Sequence, residues 1–149
     1  MGARSYPDTP RCYFDMDGVL ADFVRAAKEH NMDPAHFKRV AGAYLELPLM
    51  AGAVDAVARA EAMGFQIFVL TKIPASNPYA ATEKLLWARR HFPALADRII
   101  ISADKGAVGT ARDFLIDDRP DWANAKNFPG TVIHFKEDWE DVFRILSGQ

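Results

Sequence analysis

Cysteine is almost missing from this chain: Cys12 is the only one in 149 residues, which excludes an internal disulfide and any zinc site built on a cysteine cluster. No apolar run is long enough to span a bilayer. The opening segment, Met1 to Pro10, carries Arg4, Asp8 and two prolines instead of the apolar core of a signal peptide. A reducing, cytoplasmic setting is therefore the expectation. An excess of one charge is lacking too, since 18 basic and 20 acidic residues are mixed along the chain for a formal net charge of −2. With no basic stripe there is no strong nucleic-acid signal, and a small anionic ligand has to be gripped by a few local groups. Repeats and low-complexity stretches are absent as well.

What is present has the balance of a globular protein, 50% hydrophobic and 26% charged. The length fits one domain over 1–149 with at most a short insertion. Arg11–Cys12–Tyr13–Phe14 reads as a brief buried strand that stops at Asp15–Met16–Asp17–Gly18, because Asp and Gly favour turns. Leu20, Phe23, Val24 and Ala27 follow at helical spacing. Asp33–Pro34 then reads as an N-cap with proline at the first helical position, opening a helix through Val40. Pro48 to Gly52 breaks the pattern, and a helix through Val54, Val57, Ala58 and Glu61 ends at Gly64, a left-handed cap. Further strands are expected over Phe65 to Leu70, Arg98 to Ile101, Phe114 to Ile116 and Thr131 to Phe135. Between the first two lies a helix holding Leu85, Leu86, Ala88, Arg89 and Phe92, capped by Asn77, and a last helix runs from about Asp138 to Leu146. Strands alternating with helices predict an α/β fold with a central parallel sheet and helices on both faces.

In such a sheet, ligands bind outside the carboxyl ends of the strands, and four ends here carry chemistry-bearing groups. Asp15 and Asp17 are two apart, so an extended backbone would project both the same way. One carboxylate could then attack a phosphoryl group while the other moves a proton. Such a site needs positive charge. A hard, oxygen-ligated ion such as Mg²⁺, held by Asp15 and the Asp117–Asp118 pair, would supply it together with Lys105. Thr71 offers a hydroxyl and an N–H to phosphoryl oxygens. Each element alone is an ordinary turn or loop; four strand ends in this chemical order are not.

The ordered set Asp15-Met-Asp-Gly-Val-Leu20, Thr71, Lys105 and Asp117–Asp118 resembles the four motifs of the haloacid dehalogenase superfamily of phosphatases. Within it the chain is most similar to the 5′(3′)-deoxyribonucleotidases, through Asp15-Met-Asp-Gly-Val-Leu-Ala-Asp-Phe23, Pro48-Leu-Met-Ala-Gly-Ala-Val54, Thr71-Lys-Ile-Pro74 and Leu115-Ile-Asp-Asp-Arg-Pro120. The resemblance implies a three-layer Rossmann-like fold with a helical cap insertion, and Mg²⁺-dependent hydrolysis of a phosphomonoester, a nucleoside monophosphate, through an aspartyl-phosphate. It also implies roles. Asp15 would be nucleophile and metal ligand, and Asp17 the general acid and base, its carbonyl also reaching the metal. Thr71 and Lys105 would bind phosphate, and Asp117 and Asp118 would complete the metal site, with their order left open.

The chain departs from that pattern in two places. Only about residues 21–47 are available for the cap, a shorter stretch than the family's, so Phe37 and Tyr44 are more plausibly core than a base clamp. Lys72 stands where serine is expected and Ala103 where an arginine is expected, so Lys72 could restore the missing charge. Another small metabolite phosphate, such as a sugar phosphate, and a non-catalytic phosphate-binding domain stay open as alternatives. So does a homodimer in which a second copy covers the open site. His30, His36, His91 and His134 lack metal-ligand spacing, and Trp87, Trp122 and Trp139 read as helix packing.

Overall fold

The computed structural model describes residues 9–148, so most of the polar leader from Met1 to Pro10 lies outside the described residues. The chain forms β1 (Arg11–Phe14), β2 (Gln66–Thr71), β3 (Ile99–Ile101), β4 (Phe114–Asp117) and β5 (Thr131–His134). These make a five-stranded sheet in the order β3-β2-β1-β4-β5, every pair parallel. The α/β class is the expected one, and no strand bound differs from expectation by more than one residue.

Parallel strands are apolar almost throughout because both faces are covered. Cys12 and Phe14 turn to one face and Tyr13 to the other. The first face packs against α1 (Phe23–Glu29), α2 (Pro34–Phe37), α3 (Ala53–Ala62), α4 (Ala80–His91) and α5 (Trp139–Leu146), whose buried side chains join one core with Cys12, Phe14, Ile67, Val69 and Ile116. On the second face Tyr13, Leu70 and Leu115 meet Ala125 and Phe128. That outer layer is built from short 3₁₀ turns at Lys105–Ala107 and Ala125–Asn127.

Local chemistry explains the helix starts. Asp22 accepts from Arg25 N, Asp33 from His36 N, and Asp138 from Glu140 N and Asp141 N, each satisfying orphan donors of a first turn. The helix opened by Asp33 is shorter than the sequence suggests. It stops at Phe37, and residues 38–46 continue as turns. Side chains of α4 and its lead-in claim the polar groups of that stretch: Asn77 Nδ2 donates to the carbonyls of Lys38 and Val40, Glu83 accepts from the N–H groups of Gly42 and Tyr44, and Trp87 Nε1 donates to Leu47 O at 2.8 Å. Asn77 is thus a brace more than a cap. Tyr79 holds the N-cap position of α4, with Asn77 Oδ1 accepting from its N–H. Trp122 departs from expectation as well, being 57% exposed in a turn.

Gly52 and Gly64 flank α3, both with positive φ, 78° and 100°. A Cβ at Gly64 would meet nothing within 4 Å, whereas one at Gly52 would lie 2.9 Å from Cδ1 of Trp139, whose Nε1 donates to Ala51 O. Gly64→Ala should therefore cost about 1 kcal/mol from backbone strain alone. Gly52→Ala should cost about 2 to 3 kcal/mol, since the Trp139 contact is also displaced. Urea unfolding midpoints measure the difference; equal losses would show that Trp139 does not brace this loop.

Candidate active site

The sheet order places β1 at the switch point, with β2 on one side and β4 on the other, which is where an open α/β sheet leaves a crevice. Phe14 is level with Val69 and Ile116. The next residue, Asp15, donates its N–H to Ile116 O at 2.9 Å. Asp15 therefore emerges beside Asp117, with Thr71 ending the neighbouring strand.

Beyond Asp15 the chain turns tightly: the N–H groups of Leu20 and Ala21 both reach Met16 O, and Gly18 N reaches Ala21 O. Gly18 has φ 86°, and a Cβ there would lie 2.1 Å from Asp118 Oδ2. Only glycine lets the Asp118 carboxylate lie against this turn. Carboxylate oxygens of Asp15, Asp117 and Asp118 consequently lie within 4.8 Å of one another.

Lys105 Nζ fills one side of this cluster, 3.1 Å from Asp15 Oδ1 and 2.8 Å from Asp117 Oδ2, with the lysine itself buried. It is held from below, since Lys105 N donates to Ala123 O. Asp104 Oδ1 ties the same loops together by accepting from Gly106 N and Asn124 Nδ2. Burial works against the Lys105 ammonium, but Asp15 and Asp117 together outweigh it and hold its pKa above the ordinary value. Asp117 is engaged at both oxygens, by Lys105 Nζ and by Arg119 N at 2.8 Å. Asp118 has no lysine partner among the described residues; its carboxyl shares a hydrogen bond with Asp15 and one with its own backbone.

Burial is the largest cause pushing the Asp15 carboxyl well above its usual range; Lys105 pulls it down, and Asp117 and Asp118 push it up. Asp118 is raised by burial first and by Asp117 next, and it shares a hydrogen bond with Asp15. Neighbouring carboxyls that hold on to a proton in this way suit a hard cation with oxygen ligands. Asp15, Asp117 and Asp118 are the group of carboxylates that could hold one.

Asp17 lies apart from this cluster's lysine. Its Oδ2 accepts from Lys84 Nζ at 2.9 Å, and Lys84 also donates to Thr71 Oγ1 at 2.8 Å and to Lys72 O at 2.6 Å. Thr71 is therefore brought into the site, whereas the Lys72 side chain is exposed. Sequence reasoning passed over Lys84, although a signal existed. On α4 the inward positions Ala80, Glu83, Lys84, Trp87 and Ala88 form a stripe at helical spacing, and two charged residues within such a stripe need buried partners. The more apolar residue Leu86 is 50% exposed.

Phe37 and Tyr44 are each 2% exposed and pack on Phe23, with ring centroids 5.3 and 5.2 Å away. They belong to the core, as their spacing suggests. Among the histidines, His30 closes α1 through Ala26 O, and His134 Nε2 lies 3.1 Å from Asp118 O.

The architecture is that of a hydrolase-like α/β fold. It is similar to the crystal structure of a hydrolase from Streptococcus pneumoniae TIGR4, with TM-score 0.53 over 93% of this chain and 99% of that one; at 13% identity the likeness is one of fold. Sequence comparison is more specific. Residues 29–145 match the family described as 5′ nucleotidase, deoxy (Pyrimidine), cytosolic type C protein, and the chain belongs to that family. It is 31% identical over 149 residues, 94% of this chain and 84% of the relative, to a protein of Vibrio phage KVP40 named for 5′(3′)-deoxyribonucleotidase activity. A Bordetella bronchiseptica protein of the same name is 30% identical over 71% of this chain and 72% of its own. The mitochondrial 5′(3′)-deoxyribonucleotidase of Mus musculus is 34% identical over 58% of this chain, a match that spans 39% of the mouse protein. No helix among the described residues is long and apolar enough to cross a membrane.

Asp15 and Asp118 hold their protons to higher pH than an unfolded chain does, where the ordinary value is 3.8. The folded state then binds the more protons, so the cluster's contribution to stability falls as pH rises through the raised values. Relative to Asp118→Asn, cation-free protein should lose stability as pH rises above the ordinary carboxylate value of 3.8. Added Mg²⁺ should restore it, because the cation replaces the shared protons. A wild-type-minus-variant difference in urea midpoint that stays flat with pH would mean that the carboxylates are not in conflict.

Proposed function

We propose that the chain is a Mg²⁺-dependent phosphomonoesterase acting on deoxyribonucleoside monophosphates through a phosphoryl group carried on Asp15. The observation that carries this reading is the partition of two carboxylates between two lysines: Asp15 with Lys105, and Asp17 with Lys84. One acid is thereby placed with the cation site and the other away from it, the arrangement that nucleophile and proton carrier need.

Asp15 Oδ1 accepts from Met16 N and from Lys105 Nζ, which fixes the plane of the carboxylate before it attacks phosphorus. As the new O–P bond forms, the ester P–O bond breaks and its oxygen takes a proton from Asp17. Asp17 then removes a proton from water, the water oxygen attacks phosphorus, and inorganic phosphate leaves with the Asp15 carboxylate restored. Thr71 and Lys105 steady the phosphoryl oxygens during both transfers. Mg²⁺ held by Asp15 and Asp118, with the Asp17 carbonyl and with Asp117 behind them, would offset the repulsion between phosphoryl oxygens and carboxylates. Lys72, which follows Thr71 and is exposed, would meet the remaining charge of the ester.

A second reading, a phosphatase of another small metabolite, is favoured by the burial of Phe37 and Tyr44, which removes both from stacking on a base. A panel of esters with Mg²⁺ separates the two. Deoxyuridylate and thymidylate should be turned over with kcat/KM at least about tenfold above sugar phosphates, and Asp15→Asn should abolish both activities. Equal turnover of nucleotides and sugar phosphates would replace the nucleotidase reading with the second one. Activity surviving in Asp15→Asn would sink the mechanism.

A further inference from the structure

The inference concerns Lys84 and rests on the phosphatase reading above. An ammonium has three donors and no acceptor. Those of Lys84 all go to the protein, to Asp17 Oδ2, Thr71 Oγ1 and Lys72 O, at 2.9, 2.8 and 2.6 Å. With its side chain 1% exposed, and with Tyr44's ring 4.9 Å from Nζ, it has no donor left for a substrate phosphate. Lys84 is not a phosphate-binding cation.

We propose that Lys84 is a positioning residue that holds the Asp17 carboxylate in its place and sets where the Thr71 hydroxyl points. The assignment follows from donor and acceptor counting. Asp17 Oδ2 accepts from Lys84 Nζ at 2.9 Å, which fixes the orientation of the carboxylate. Asp17 Oδ1 is buried and has no hydrogen-bond partner among the described residues, so the hold on this carboxylate comes through Lys84. Thr71 Oγ1, already accepting from Lys84, has its own proton to give. Its nearest protein acceptor, Lys72 O, is 3.4 Å away, at the long end for a hydroxyl donor. A phosphoryl oxygen is the better acceptor. One buried lysine thus aligns the acid and one phosphate donor together.

A merely structural lysine here would be a poor solution, since a buried ammonium carries a desolvation cost that a methionine of similar length would avoid. The helix imposes no such charge. Its inward stripe supplies the position, and the site supplies the reason.

The experiment compares kcat/KM for p-nitrophenyl phosphate, whose leaving group departs without a proton, with that for thymidylate, whose leaving group needs one. Lys84→Met should lower kcat/KM on thymidylate by about 100-fold or more, the scale of a lost general acid, and on p-nitrophenyl phosphate by about tenfold or less. Lys84→Arg, which keeps the donors, should recover a substantial part of the thymidylate rate. In a double-mutant cycle, Lys84→Met added to Asp17→Asn should cost thymidylate hydrolysis little more than Asp17→Asn alone, because both act on one proton. Circular dichroism of each variant separates loss of fold from loss of alignment, and the cycle is read within the Asp17→Asn background, where both forms must be folded.

Equal losses on the two esters, or losses that multiply in the cycle, would overturn the role of Lys84 while leaving the phosphatase reading intact. If Lys84→Met does not fold, Lys84→Leu, which likewise has no donor, takes its place with the same criteria. Wild-type protein inert towards every ester would overturn the phosphatase reading itself and this inference with it.

Discussion

Carboxylates of Asp15, Asp117 and Asp118 converge within 4.8 Å where β1 and β4 end, and like charges at that separation repel. At an effective dielectric constant of about 20, each ionised pair costs about 3 kcal/mol. The surroundings answer that repulsion one partner at a time. Lys105 takes Asp15 and Asp117, Arg119 N takes the other oxygen of Asp117, and Gly18 vacates the volume into which Asp118 fits. The 3₁₀ turn that carries Lys105 and the loop that supplies Ala123 O exist on the sheet's second face to keep that lysine in place. Between Asp15 and Asp118 the repulsion is met by a shared hydrogen bond, and on the phosphatase reading a divalent cation would take its place.

Helix α4 joins this chemistry to the short segment over residues 38–47. Consecutive inward residues do different work: Glu83 accepts from the backbone of that segment, Lys84 reaches Asp17 and Thr71, and Trp87 closes on Leu47 O. Because the same turns of one helix hold both, the segment is fixed to the body by buried hydrogen bonds instead of hinging over the site. Breaking such bonds without new partners costs about 1 to 3 kcal/mol each. A segment anchored at several such points does not swing as a lid at ordinary temperatures, and the aromatic residues within it are committed to the core.

Much of this was legible in the sequence because strand ends are legible. A buried strand that stops at Asp15, Thr71 or Asp117 announces both its direction and its polar tip, and parallel pairing then brings the tips to one edge. The fold class follows from the same alternation. Lys84 was not legible by that logic. Helix faces are read from apolar residues, and on α4 the apolar Leu86 points outwards while Glu83 and Lys84 point in. Tertiary partners override the apparent stripe. The expected helix through Val40 ends early for a related reason: the N–H groups of Arg39 and Val40 turn to carbonyls three residues back, His36 and Phe37, and the carbonyls of Lys38 and Val40 accept from Asn77, a residue 37 to 39 positions away. Trp122 reads as helix packing only if a helix is there, and consecutive left-handed residues, Ala123 and Asn124, make that stretch a turn.

The two buried lysines differ in one count that divides their labour. Lys84 uses three donors on protein acceptors, whereas Lys105 uses two, on Asp15 and Asp117. An ammonium has three, so Lys105 keeps one for a ligand and Lys84 keeps none. On the phosphatase reading, the only buried positive charge among the described residues that can touch the phosphoryl group is then one already half-neutralised by two carboxylates. A phosphate dianion entering beside Asp15 and Asp118 adds negative charge to a site whose own cations are nearly saturated. On that reading, hydrogen-bond counting supports an added metal ion: without one, the two buried lysines together leave the substrate a single N–H, that of Lys105.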